Sequence, residues 1–161
     1  MCQCRESKKL KIKPMYADVK IPKQATSGSA GLDIYIRLDE YNENGNICEK
    51  ITIPPKGRVK VGTGLKFQLP ANHVMLLFPR SSTGIKKGLR LQNSTGVLDE
   101  DYRGECMCFL ENTTDEPVDI EQNERILQAI IIPYPKIDVE VVEELDTTVR
   151  GEGGIGSTGS K

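Results

Sequence analysis

The sequence predicts an all-β domain, a sandwich, jelly roll or barrel. Three observations carry this. Short apolar runs recur at fairly even spacing, each broken by Gly, Pro, Asn or Asp. Nothing along the chain reads as a long amphipathic helix. A length of 161 residues, 37% of them hydrophobic, suffices for one domain with a core of its own.

Leu10 to Met15 alternates as a first strand, and Ile34 to Leu38 reads as a second. Ile47 to Ile53 is a third, stopped by Pro54-Pro55. Arg58 to Leu69 is a long run in which Gly62 and Gly64 predict a bulge or bend. His73 to Phe78 is strongly apolar and ends at Pro79. One helical turn or two is predicted from Ser81 to Lys87, with Ser81 or Ser82 as the cap. Leu89 to Leu91, Gly96 to Leu98, Arg103 to Leu110 and Pro117 to Ile120 follow as strands. Ile126 to Ile132 is more apolar than a half-exposed strand requires, so it is either central or turned toward another subunit. Asp138 to Val142 is the last predicted strand. Residues 1–149 thus read as one β domain, with 1–9 flexible, and 150–161 as a mobile glycine-rich arm.

Lys and Arg number 22 against 23 Asp and Glu, a net charge of −1. That balance argues against a stable nucleic-acid partner, which needs a basic excess. No apolar run approaches the ~20 residues that span a bilayer. Met1 to Lys13 lacks an apolar signal core, so the expected location is the cytoplasm. Five cysteines do not pair evenly, and reduced thiols are the expectation. Cys106 and Cys108 fall on one strand face. A zinc site from Cys2, Cys4, Cys106 and Cys108 is the alternative, at a spacing tighter than zinc ligands usually show.

The richest stretch is Gly96-Val97-Leu98-Asp99-Glu100-Asp101-Tyr102-Arg103-Gly104-Glu105. It predicts a tight β-hairpin with a carboxylate at its rim and a ring beside it. Asp99 follows Val97-Leu98 and is the candidate general base. Tyr102 either stacks on a sugar face or pins the hairpin. Asn93, just upstream, offers a donor and an acceptor that match a pyrimidine edge. In Pro79-Arg80-Ser81-Ser82-Thr83-Gly84, a strand end, an arginine fork and hydroxyls suit phosphate. Ser81 is also a possible nucleophile, and His73, the only histidine, reads as structural. Asp33 reads as a strand-entry acid that holds a neighbouring backbone group or arginine. Arg125 and Gln128 on a regular strand face opposite ways, so at most one reaches a shared site. In the tail, Gly153, Gly154, Gly156 and Gly159 free backbone N–H groups for a phosphate nest, although no Walker pattern is present.

Five segments in this order resemble the trimeric dUTPase family. They are Ala30-Gly31-Leu32-Asp33-Ile34-Tyr35, Pro79 to Gly84, Gly96 to Glu105, Glu124-Arg125-Ile126-Leu127-Gln128, and Arg150 to Gly159. The resemblance implies a distorted jelly roll of the dUTPase-like β-clip type. It implies a homotrimer with a C-terminal arm and active sites at subunit interfaces. The implied reaction is hydrolysis of dUTP to dUMP and pyrophosphate, with Mg2+ held through the substrate phosphates and water rather than by the protein. Asp99 would activate the water. Arg80, Ser81, Ser82 and Gln128, with Arg150, Ser157, Thr158 and Gly159 of the arm, would hold the phosphates. Asn93, Gly96, Val97, Leu98 and Met107 would read the uracil, and Tyr102 would press on the deoxyribose. Ile155 stands where the family's arm usually carries a phenylalanine over the base. Two alternatives share the fold. A dCTP deaminase would need a glutamate at the place of Phe109, and a binding or regulatory module would need no catalysis.

Overall fold

The computed structural model describes residues 8–40 and 44–154. Its strands are β1 (Lys11–Pro14), β2 (Leu32–Tyr35), β3 (Lys50–Ile53), β4 (Arg58–Gln68) and β5 (His73–Pro79), then β6 (Leu89–Leu91), β7 (Gly96–Leu98), β8 (Glu105–Asn112), β9 (Val118–Glu121) and β10 (Arg125–Pro133). Two four-stranded sheets, ordered β1-β4-β8-β6 and β2-β10-β5-β7, enclose the core, and β3 pairs with β9 in a small third sheet. All the ladders are antiparallel. This is the expected distorted jelly-roll sandwich.

The sheets face each other through their apolar sides. Ile34, Leu65, Met75, Leu77, Leu110 and Leu127 are fully buried between them. Each such side chain contributes about 1.5–3 kcal/mol relative to exposure. At the end of β8, Asn112 is buried with its amide fully used. Its Nδ2 donates to the carbonyls of Ile53, Pro54 and Glu116, and its Oδ1 accepts from the Thr114 N–H and hydroxyl. A polar plug satisfied in this way fixes the β8 end without an unpaired group.

The composition of β10 is explained by its place. It lies between β2 and β5, with Leu127 and Ala129 turned into the core. Its other face carries Ile130 and Ile132 opposite Leu76 and Val74 of β5, and Ile132 remains 39% exposed.

The bulge predicted in the long run occurs. The β4–β8 register shifts between Gly62 and Lys66, and Gly64 has φ +66°, which only glycine adopts without strain. The Glu105 carboxylate accepts from the N–H groups of Thr63 and Gly64 and holds the bulge.

Three predicted strands depart from expectation, and the one from Ile47 is laddered only over Lys50–Ile53. The predicted strand Ile34 to Leu38 is laddered instead over Leu32–Tyr35, because β10 ends its pairing at Arg125 opposite Tyr35. Ile36 and Leu38 stay buried beyond it, and Arg37 makes an isolated bridge to Gly62. Asp138 to Val142 is not a strand, and Val139 and Val141 are 89% and 95% exposed. Alternation alone cannot make a strand, since its backbone needs a ladder partner, and no described residue supplies one.

Cys106 and Cys108 lie in the core on one face of β8. Burial pushes both thiols up to about 12. Cys2 and Cys4 lie outside the described residues. The raised values favour the folded state fully below the ordinary thiol pKa, near pH 9, and that contribution is lost as pH rises toward 12. Native protein treated with iodoacetamide at pH 8 should therefore carry no label on Cys106 or Cys108, as peptide mass spectrometry can check. Tm should decline as pH is raised from 9 to 11. Label on either residue in the folded protein would contradict their burial. Among the described residues, no helix is long and apolar enough to cross a membrane.

Candidate active site

The residues from Gly96 to Glu105 do not form a laddered hairpin. β7 pairs with β5, placing Gly96, Val97 and Leu98 opposite Leu77, Leu76 and Met75. β8 pairs with β4 along its length, and with β6 only from Leu110 onward. The two arms of the expected hairpin thus belong to different sheets. The physical reason is that β6 takes the edge of β8 at one end while β5 draws β7 away. Between them opens a slot, made of adjoining cavities of about 170 and 210 Å³ that share Met107. Val97, Leu98, Asp99 and Tyr102 line one end, and Gly96, Asn93 and Phe109 line the other.

The turn joining the arms is tightly held. The Tyr102 N–H donates to the Asp99 carbonyl at 3.2 Å, and Arg103 donates to the carbonyls of Glu100 and Tyr102 at 2.7 and 2.9 Å. The Tyr102 ring folds over Gly104 and its hydroxyl donates to the Glu105 carbonyl. A Cβ at Gly104 would collide with that ring, so glycine is required there. Glu100 accepts from the Asn72 N–H, and the Asn72 carbonyl accepts from the Tyr134 N–H at the end of β10. The Tyr134 hydroxyl is pushed above its ordinary pKa by partial desolvation, then by the adjacent carboxylate of Glu100, with Asp101 and Asp99 adding to it. The turn therefore concentrates negative charge at the rim of the slot, with Asp99 exposed to solvent. Asn93 is exposed in the turn after β6, where its carbonyl accepts from the Thr95 N–H.

The second cluster lies where β5 ends. A single π-helical turn, Ser82–Lys86, follows Arg80 and Ser81. The expected serine cap is not formed. Ser81 is already in the right-handed helical region and makes no side-chain cap bond. Thr83 is the anchor instead. Its hydroxyl donates to the Ile126 carbonyl at 2.9 Å, as does the Arg80 N–H. That leaves the Ser81 side chain exposed and Ser82 half-exposed.

Asp33 organises the cluster. It is 8% exposed and forks between two guanidinium groups, Arg80 Nε at 3.0 Å and Arg125 Nη1 at 3.1 Å. Gln128 lies directly opposite Asp33 across the β2–β10 ladder, and its Nε2 donates to the Pro79 carbonyl at 3.3 Å. Arg125 and Gln128 therefore share a face, contrary to the expectation from strand alternation. The register shift between Arg125 and Leu127 inserts one residue and reverses the phase. Sequence reasoning missed Thr83 here, and it set Arg125 on the face opposite Gln128. A bulge leaves no mark on apolar spacing, and the one usable signal for Thr83 is its place in the Ser-Ser-Thr run.

Asp33→Ala should lower stability by about 2 kcal/mol, a Tm drop of roughly 5 °C, because it leaves two cations without their shared acceptor. Both arginines reach solvent, which keeps the loss below that of a fully buried pair. Thermal melts check this, and Asp33→Asn should restore part of the loss.

These two clusters do not meet within one chain. Leu98 lies opposite Met75 near the start of β5, whereas Arg80 and Ser81 follow its end. At about 3.3 Å per residue, Asp99 and Arg80 are separated by roughly 20 Å along the strand. The same geometry separates Ser81 from His73. His73 is buried, donates from Nδ1 to the Ala71 carbonyl and accepts from Lys8 at Nε2, so its ring is occupied in structure. Of the arm, Arg150 is exposed and donates to the Gly153 carbonyl at 2.8 Å. Ile155, Ser157, Thr158 and Gly159 lie outside the described residues.

A jelly-roll sandwich with a slot between sheet edges, an acidic turn at its rim and an arginine-bearing turn beyond is the architecture of a nucleotide-handling β enzyme. Comparison with known proteins narrows the class. The dUTPase family model matches residues 17–159, and the chain belongs to that family. It is 40% identical over 153 residues to the deoxyuridine 5'-triphosphate nucleotidohydrolase of Hydrogenobaculum sp., covering 95% of this chain and 99% of the relative. The Fusobacterium nucleatum enzyme of the same name is also 40% identical over 153 residues, covering 94% of this chain and 99% of the relative. Among solved structures, the Streptococcus mutans dUTPase superposes with a TM-score of 0.65 at 32% identity, covering 80% of this chain and 98% of that one. The Staphylococcus bacteriophage 80alpha dUTPase with dUPNHPP gives a TM-score of 0.80 at 24% identity, covering 94% and 98%, and speaks for the fold.

Proposed function

We propose that the protein hydrolyses dUTP to dUMP and pyrophosphate, which keeps uracil out of DNA and supplies dUMP. The observation that carries the mechanism is the slot between the edges of β7 and β8, with Asp99 at its rim. A flat base entering there meets backbone N–H and C=O groups of two strand edges. Uracil and cytosine present opposite donor and acceptor patterns at one edge. A pair that fits one leaves the other with an orphaned group, at a cost of about 1–3 kcal/mol. Asn93 and the backbone of Gly96, Val97, Leu98 and Met107 read the base, and Tyr102 walls the sugar.

Phosphoanhydride hydrolysis needs charge neutralised and a water placed in line more than it needs a strong nucleophile. Asp99 accepts the proton of the water that attacks the α-phosphorus. Arg80, oriented by Asp33, holds the phosphates with Ser81, Ser82 and Gln128. Because the halves are separated within one chain, the phosphate cluster comes from a second copy. Val74 and Leu76 of β5 with Ile130 and Ile132 of β10 form an outward apolar stripe suited to that association. A homotrimer closes such a head-to-tail contact into a ring with three equal sites. The arm, residues 150–161, folds over the triphosphate, with Arg150, Ser157, Thr158 and Gly159 as donors. Residues 1–149 form the β body, and the setting is the cytoplasm.

Magnesium fits as an ion carried by the substrate. Among the described residues, no three His, Cys, Asp or Glu side chains converge into a cage, and Mg2+ is commonly held by phosphates and water with few protein ligands. Bound there, it offsets phosphate charge.

The test is pyrophosphate release from dUTP, UTP, dTTP and dCTP with magnesium. Turnover of dUTP at least about a hundredfold faster than the others is expected. Ammonia release from dCTP would overturn the reading.

A further inference from the structure

Phe109 stands on β8 with Glu105 and Met107 on one face, while Cys106, Cys108 and Leu110 of the same strand are buried. Phe109 is 48% exposed, whereas Phe67 is in the core. The Gln92 N–H donates to the Phe109 carbonyl at 3.0 Å and ties this part of β8 to the turn bearing Asn93. Phe109 lines the slot beside Met107, Gly96 and Asn93. It also walls an open recess with Gln92 and Asn93 that adjoins the slot. Directly across the β4 ladder is the exposed Lys60. An aromatic ring is thus presented to solvent at the end of a slot sized for another flat ring.

We propose that Phe109 is a base-contacting residue that closes the Asn93 end of the slot and packs against the pyrimidine. The proposal rests on the reading that the slot takes uracil. Aromatic rings attract in offset or edge-to-face contact, and covering Phe109 removes apolar surface from water. Phe109 carries no donor or acceptor, so an exocyclic amine turned toward it gains no side-chain partner there. The Asp99 end of the slot is where phosphate chemistry takes place. A contact at the other end is equally strong before and during water attack, so it acts on KM rather than kcat.

Three variants test this, with dUTP kinetics, thermal melts and dUMP titration. Phe109→Ala should raise KM for dUTP about tenfold, keep kcat within about twofold and leave Tm near wild type. Phe109→Leu, which keeps apolar area without a π face, should fall between. Phe109→Trp should keep KM near wild type. Its indole would be the chain's only tryptophan, and its emission should change as dUMP saturates. If wild type turns over dUTP but Phe109→Ala leaves KM unchanged, or the indole ignores saturating dUMP, Phe109 does not touch the base. The proposed function then stands. A wild type that neither binds nor hydrolyses dUTP removes both.

Discussion

Asp99→Asn should lower kcat for dUTP by about a thousandfold and leave KM within about threefold. Asparagine keeps the shape and polarity of the side chain but cannot take a proton from water. The turn itself should persist, because its bonds to Tyr102 and Arg103 run from backbone carbonyls and not from the Asp99 carboxylate. Stopped-flow or steady-state pyrophosphate release reads kcat, and equilibrium dUMP binding confirms an intact slot. Turnover comparable to wild type would refute the assignment.

The same variant tests whether the site is shared. Ser81→Ala damages the phosphate cluster and leaves the slot alone. Each variant by itself should be nearly inactive. Unfolded together in equal amounts and refolded, they should recover about a quarter of wild-type activity, because a quarter of sites then pair an intact Asp99 with an intact Ser81. No recovery would mean that both clusters act from one chain. The roughly 20 Å between them along β5 makes that outcome incompatible with a single α-phosphorus.

Truncation after Val149 should cut kcat/KM for dUTP by about a hundredfold or more and leave Tm unchanged. The described part of this arm bonds within itself, Arg150 donating to the Gly153 carbonyl, and to its neighbour Thr148, whose carbonyl accepts from the Gly151 N–H. Val149 is fully exposed. Among the described residues of the arm, these bonds do not reach the sandwich core. What would be lost is the proposed set of donors for the phosphates, Arg150 among them. A truncated protein with full activity would show that the site closes without an arm.

The apolar period placed most strands within a residue or two, because burying one face of a sheet imposes alternation wherever the strand lies. The long Arg58 run was legible with its bulge, since Gly62 and Gly64 are the mark such a kink leaves in a sequence. Asp138 to Val142 alternates equally well and is not a strand. Ladder formation depends on a partner, and alternation carries no record of one. The motif residues were legible as chemical types, but their grouping was not. Spacing put Asp99 and Tyr102 on a hairpin, yet their strands enter different sheets. Strand parity set Arg125 against Gln128, yet one inserted residue turned them to the same side.

Chemical identity and periodicity are local properties, and the chain by itself determined them: an all-β sandwich, its family, an acid at a rim and arginines beside hydroxyls. Which strand edges stay unpaired is a long-range property. Only the folded sheets decided that β7 and β8 would part into a slot, that Asp33 would bind two arginines at once, and that the two halves would stand at opposite ends of β5. Those outcomes follow from competition among backbone edges distant in sequence, and no window along the chain contains them.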